Sequence, residues 1–209
     1  MAVAALAAAA LPARGQSPAE LEALFRARAD SARTRYVEAD AEFMTGMIVH
    51  HAQALLMAAL APDRGASVPI RTLAARITNA QRDEIALMQG WLRDRSLPVP
   101  EPHVMGTALM VHGAGDHAHH MPGMLTDQQL RALEQSRDTA FDRAFLTYMI
   151  QHHRGAVVMV DSLIATPGAA RDQTTFRLAS DVQADQRTEI ARMERMLQAM
   201  NPTSGRDSP

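Results

Sequence analysis

The chain contains the same stretch twice. Setting Asp40 against Asp142 aligns Asp, Phe, Thr, Met, Ile, His, His, Ala and Met over 18 residues, Asp40–Met57 against Asp142–Met159. A second match follows at a slightly different offset: Gln81-Arg82-x-Glu84-Ile85-Ala-x-Met88 against Gln186-Arg187-x-Glu189-Ile190-Ala-x-Met193. A repeat of about 100 residues constrains the fold strongly, because each copy is a unit that cannot bury its apolar face alone and packs against the other.

The apolar positions of each copy recur at three and four residues. Phe43, Met47, His50, Ala54 and Met57 form one such seam, the stripe of a helix facing a core. Periodicity and breaks predict helices over 37–60, 69–93, 139–165 and 172–200, interrupted at Ala61-Pro62-Asp63-Arg64-Gly65 and at Thr166-Pro167-Gly168. Short breaks make neighbouring helices antiparallel, and two such hairpins burying their stripes together form a four-helix bundle. The fold class is all-α, since strand-like alternation is hard to find and good helix formers dominate. Each half also has a short leading helix. Ser17-Pro18-Ala19-Glu20 and Thr126-Asp127-Gln128-Gln129 are capping boxes, the second with Leu125 and Leu130 placed as a hydrophobic staple. The expected organisation is a signal-like segment at 1–15, a first repeat at 16–96, a linker at 97–125, a second repeat at 126–200 and a tail at 201–209, with both repeats in one bundle.

Composition narrows the chemistry. There is no cysteine, so there is neither a disulfide nor a thiolate ligand, while 14 Met and 9 His are present. A net charge of −2 suggests no affinity for nucleic acid or a membrane surface. The Ala-rich start up to Gly15 has the apolar core and small residues of a secretory signal but lacks a basic beginning. A periplasmic or secreted location is therefore expected. No other stretch is expected to span a membrane.

Every histidine lies either in a His-His pair at mid-helix, His50-His51 and His152-His153, or in the linker. Met47 precedes its pair by three and four residues, as Met149 does its own, so each thioether shares a helix face with imidazole. Neutral imidazole and thioether are soft, uncharged donors suited to Cu(I) or Ag(I). Methionine also serves in oxidising compartments where thiolates become disulfides. The candidate metal ligands are thus Met47, His50, His51, Met149, His152 and His153. The linker starts extended at Leu97-Pro-Val-Pro-Glu-Pro and becomes a loop with candidates His103, Met105, Met110, His112, His117, His119, His120, Met121 and Met124. His50 is expected to face the interior, with His51 at its flank. Glu84 and Glu189, with Gln81 and Gln186, stand where an antiparallel partner would bring them beside the imidazoles, to orient the rings. Direct ligation of the metal is a further option, and ion pairs to Arg82 and Arg187 are the plainer alternative. Asp142 is expected to close a capping box with Thr139, and Asp40 to be its structural equivalent, because it lies about 15 Å along the axis from His50. By default a helical methionine fills a core and a buried histidine is held by a hydrogen bond.

The doubled pattern Asp-x-x-Phe-x-x-x-Met-Ile-x-His-His-x-x-Ala-x-x-Met, with Met121-Pro-Gly-Met-Leu-Thr126 between its copies, resembles the domain of unknown function 305 family over about Tyr36 to Met200. The resemblance implies a ferritin-like four-helix bundle in an exported bacterial protein, with relatives implicated in periplasmic copper binding and resistance. Three functions follow as expectations. The first is a non-enzymatic soft-metal protein that buffers or carries copper, with a metal ion, a donor or acceptor protein or a second copy as partner. The second is a metal-free helical module. The third, a di-iron oxidase, is disfavoured because Met47 and Met149 stand where Glu-x-x-His sites need glutamate.

Overall fold

The structure, a computed structural model, describes residues 17–105, 108–113 and 121–200, with backbone alone at 28–34, 105 and 108. The signal-like segment, the tail and His117, His119 and His120 lie outside the described residues.

Helix α1 (Pro18–Thr34) is a unit by itself. It opens on the expected cap: the Ser17 N–H donates to Glu20 Oε2 at 2.7 Å and the Glu20 N–H returns to Ser17 Oγ at 3.3 Å.

The second unit holds the bundle. Its long helices are α2 (Glu38–Ala59), α3 (Val68–Asp94), α5 (Asp138–Ala165) and α6 (Gln173–Ala199), preceded in the second half by the short α4 (Asp127–Gln135). Helix α2 packs along α3 and α5 along α6, and the two hairpins meet through α2 and α5. The start of α4 is the expected capping box: the Thr126 N–H donates to Gln129 Oε1 at 2.9 Å and the Gln129 N–H to Thr126 Oγ1 at 3.2 Å. Leu125 is buried and Leu130 packs on the same cluster, as a staple requires.

Two apolar clusters divide the bundle along its length. One gathers Met57, Leu73, Phe141, Phe145, Met149 and Met193, and the other Phe43, Met44, Met47, Trp91, Leu92 and Val160. Because α2 and α5 are antiparallel, Met47 and Met149 fall in opposite clusters, with the four paired histidines between them.

The aspartates that open the repeats tie one hairpin to the other. Asp40 receives the N–H of Val37 at 3.0 Å and that of Ala170 at 2.7 Å, in the turn of the other half. Asp142 accepts the Ser67 N–H at 3.1 Å, at the start of α3. The capping box expected between Thr139 and Asp142 is therefore not formed. Helix α5 begins at Arg137 without a side-chain cap, and the carboxylate is drawn across to an orphan amide of the first hairpin. Asp40→Ala leaves two amides without their acceptor, and the expected loss is about 2 kcal/mol, read as a lower urea midpoint at unchanged slope.

Two further expectations are corrected. The linker is not a loop throughout: β1 (Glu101–Met105) and β2 (Ala108–His112) form an antiparallel hairpin laid against α2. Five-residue strands carry only two periods of alternation, and Pro102 disguised the first. And α2 with its following turn, Glu38–Arg64, is long and apolar enough to cross a membrane, at mean hydropathy 1.4. It is a core helix of the bundle, with 78% of that window buried, and so had to be apolar on nearly every side.

Candidate metal centre

His50, His51, His152 and His153 are all fully buried. His51 is not at a flank, because α3 covers it. Its Nε2–H donates to Glu84 Oε2 at 2.6 Å, and His153 Nε2–H donates to Glu189 Oε2 at the same distance from α6. Both carboxylates serve the imidazoles rather than Arg82 and Arg187. Gln81 and Gln186 are equally buried, but both polar atoms of the Gln81 amide and Oε1 of Gln186 have no hydrogen-bond partner.

His50 is held differently. Its Nε2–H donates to the carbonyl of Pro122 at 2.9 Å. That carbonyl belongs to a strap, Met121–Leu125, which crosses the groove between α2 and α5. Gln53 anchors the far end, donating to the Leu125 carbonyl at 3.0 Å and accepting its N–H at 2.7 Å. Gly155 lets the strap approach: a Cβ there would lie 2.6 Å from Gly123 Cα and inside the Pro122 carbonyl. Gly46 makes room for Met121, whose Sδ lies 3.2 Å from where a Cβ would stand, with the Met159 methyl at 3.4 Å. In the repeat Gly46 corresponds to Tyr148 and Gly155 to Gln53. The strap thus sits where the two halves differ.

The ring of His152 stacks on that of His50, with centroids 3.8 Å apart at 37°. Charge on either ring is costly. Burial, then the neighbouring His51, pushes the pKa of His50 down to about 3, against the Pro122 carbonyl, which favours the proton. Burial and then His50 hold His152 well below the usual imidazole range. Both rings are neutral at physiological pH and keep a lone pair for a ligand. Nearby, Asp185 is raised by burial and by the carboxylates of Glu84 and Glu189. Sequence reasoning passed over it because its repeat equivalent is Ala80.

The donor set suits a soft ion. Three imidazoles donate Nε2–H to an oxygen and leave a buried Nδ1 without a partner, and neither nitrogen of His152 has one. Unpartnered buried acceptors are expensive, and a ligating histidine characteristically gives its other N–H to a carboxylate or carbonyl. Among the described residues, no three His, Asp or Glu side chains converge as a metal-binding group. The donors that are present, imidazole and thioether, suit soft ions. Two imidazoles ligating one ion at about 2.0 Å hold their centroids roughly 5–6 Å apart, so the stacked His50 and His152 do not share an ion as they stand. Each helix instead offers its own imidazole with the methionine one turn before it, Met47 or Met149, both fully buried.

The loop candidates divide. His103, Met110 and His112 are exposed on the hairpin, whereas Met121 and Met124 are half-buried in the strap.

The profile of a domain of unknown function, DUF305, matches residues 40–200. Among solved structures, a DUF305 fragment from Deinococcus radiodurans is 32% identical, with 78% of this chain and 98% of that one covered at a TM-score of 0.63. A DUF305 protein of Streptomyces coelicolor, provisionally described as secreted, is 30% identical over 80% and 96% of the two chains at a TM-score of 0.65. CopM in its Cu(I)-bound form is 27% identical over 78% and 98%, at a TM-score of 0.59. CopM has also been solved with Cu(II) and with silver. No match is found among curated proteins.

Proposed function

Because the chain belongs to the DUF305 family and is similar to CopM, a protein solved with copper and with silver, we propose that it is an extracytoplasmic protein that binds Cu(I) or Ag(I) to buffer or carry it. It performs no catalysis in this reading. The observation that carries it is the buried histidine layer, where imidazoles oriented through Nε2 keep unpartnered Nδ1 atoms and a buried methionine stands one turn before each pair. The ligands would be His50, His51 and Met47 on α2, and His152, His153 and Met149 on α5. Glu84 and Glu189 hold two rings in the tautomer that keeps Nδ1 free. The ion supplies only its affinity for soft donors, and the protein supplies a buried set of imidazole and thioether donors that suits a monovalent soft ion.

Met47→Leu with Met149→Leu removes both sulfurs at nearly constant volume, so the fold should survive. Competitive titration with Cu(I) against a bicinchoninate chelator should show weaker binding by about tenfold or more, comparable to a lost metal-site partner. His50→Ala with His152→Ala should abolish the helix-borne sites. Wild-type binding no tighter than that of a histidine-free control protein would remove the proposal. The metal-free module would then stand, a reading favoured by the 3.8 Å His50–His152 stack and the carboxylate-bound His51 and His153. Iron retained through purification, with oxygen consumption, would point to an oxidase instead.

A further inference from the structure

We infer that the β-hairpin carries a separate, solvent-facing soft-metal site made by His103, His112 and Met110. The inference rests on the soft-metal reading and assigns it a second location, outside the bundle.

Register places the three side chains together. His103 pairs directly with Met110, and His112 lies two residues beyond Met110. Cross-strand partners and residues two apart point to the same face of a ribbon. Val104 and Val111 belong to the other face. The rings of His103 and His112 stand 5.6 Å apart at 63°. Two imidazoles on one ion at about 2.0 Å per nitrogen span roughly 5–6 Å between centroids. The hairpin pair therefore already has the spacing of a chelate, unlike the stacked pair in the core. Glu101 lies opposite His112, yet no third His, Asp or Glu converges on the two rings among the described residues. Among the described side chains of that face, the thioether donor is Met110, which is 48% exposed. Two imidazoles and a thioether form an uncharged, three-donor set for Cu(I) or Ag(I).

An exposed thioether on a strand face contributes nothing to the core, so burial does not explain Met110. The hairpin is also positioned. Gln89 of α3 donates to the Pro100 carbonyl at 2.9 Å, at the foot of β1. A site here is reachable from solvent, whereas the donors of the bundle are sealed beneath the strap. The hairpin would take up the ion first, and the core would retain it.

The test uses the full chain and silver nitrate, since Ag(I) is diamagnetic and does not change oxidation state. Imidazole proton–nitrogen NMR should show the His103 and His112 rings shifting together during titration. His103→Ala with His112→Ala should lose one equivalent of Ag(I) per chain, with the thermal unfolding midpoint unchanged, because both side chains are exposed. Met110→Leu should weaken the same equivalent while both rings still shift. Ring signals of His103 and His112 that stay put, or a double variant of undiminished stoichiometry, would overturn the hairpin site. If the His50→Ala/His152→Ala variant still loses metal in that case, the proposed function stands without the hairpin. A wild-type chain that binds no silver defeats both.

Discussion

Gly155→Ala lowers the melting temperature by about 6 to 12 °C, the equivalent of about 3 kcal/mol in a chain of this size. The added methyl has nowhere to go. It would stand 2.6 Å from Gly123 Cα and within the Pro122 carbonyl, and both obstacles are backbone. Gly123 cannot yield, since its own φ is +77° and a Cβ there would lie 2.6 Å from the Gln151 carbonyl. The strap must lift, which breaks the 2.9 Å hydrogen bond from His50 to Pro122 and opens the histidine layer to water. Metal binding should become faster in both directions for the same reason. Gly90→Ala is the control. No atom lies within 4 Å of its Cβ position, so the substitution replaces a mid-helix glycine at no steric cost and should stabilise by about 0.5–1 kcal/mol. Melts of the two variants, followed by far-ultraviolet circular dichroism, decide the matter. Equal midpoints would mean that the strap does not press on α5.

Acid is expected to unfold the metal-free protein early. His50 has a folded pKa of about 3 against 6.5 for an ordinary histidine, and His152 is lowered as well. An unfolded histidine takes up its proton near 6.5 while the folded one refuses it, so the unfolded state gains protons first. The stabilising effect of keeping these rings neutral is complete above that value and is lost as pH falls toward the folded pKa. His50 alone removes about 1.4 kcal/mol per pH unit in that window, which is about 2 kcal/mol at pH 5, and His152 adds to the loss in the same direction. The melting temperature should fall by at least about 4 to 8 °C between pH 7 and pH 5. Asp185, raised by burial and its carboxylate neighbours, acts in the opposite direction but is largely solvated. His50→Gln with His152→Gln removes both titrations and should flatten the profile between pH 5 and 7. An unflattened profile would assign the acid sensitivity elsewhere. Fluorescence of Trp91, the single tryptophan, is a second reporter, because its Nε1–H donates to buried Thr175 at 2.9 Å at the far end of the bundle.

Much of this molecule was legible without coordinates because helices are local. The boundaries of α2, α3, α5 and α6 fall within a residue or two of those read from periodicity and breaks, and the capping boxes at Ser17 and Thr126 form as their spacing requires. That Glu84 and Glu189 stand beside the imidazoles also followed from antiparallel neighbours at matching depth, whereas the ring each one takes and the unpartnered Gln81 amide did not. Failures came where the chain meets something distant. Asp142 has an acceptable cap partner three residues away, yet it serves Ser67, 75 residues off. The β-hairpin was hidden because its strands are short and contain proline.

The amino-acid order alone determined the duplicated helical hairpins, the absence of thiols and the gathering of every histidine into three places. Periodicity and side-chain chemistry are properties of neighbouring residues, so they can be read one segment at a time. Which lone pairs remain free was decided only by tertiary structure. The carbonyl that holds His50 comes from Pro122, 72 residues along the chain. The 3.8 Å stack in the core and the 5.6 Å span on the hairpin arise from how helices and strands approach one another. Coordination depends on tenths of an ångström and on direction, and a pattern of residue types carries neither.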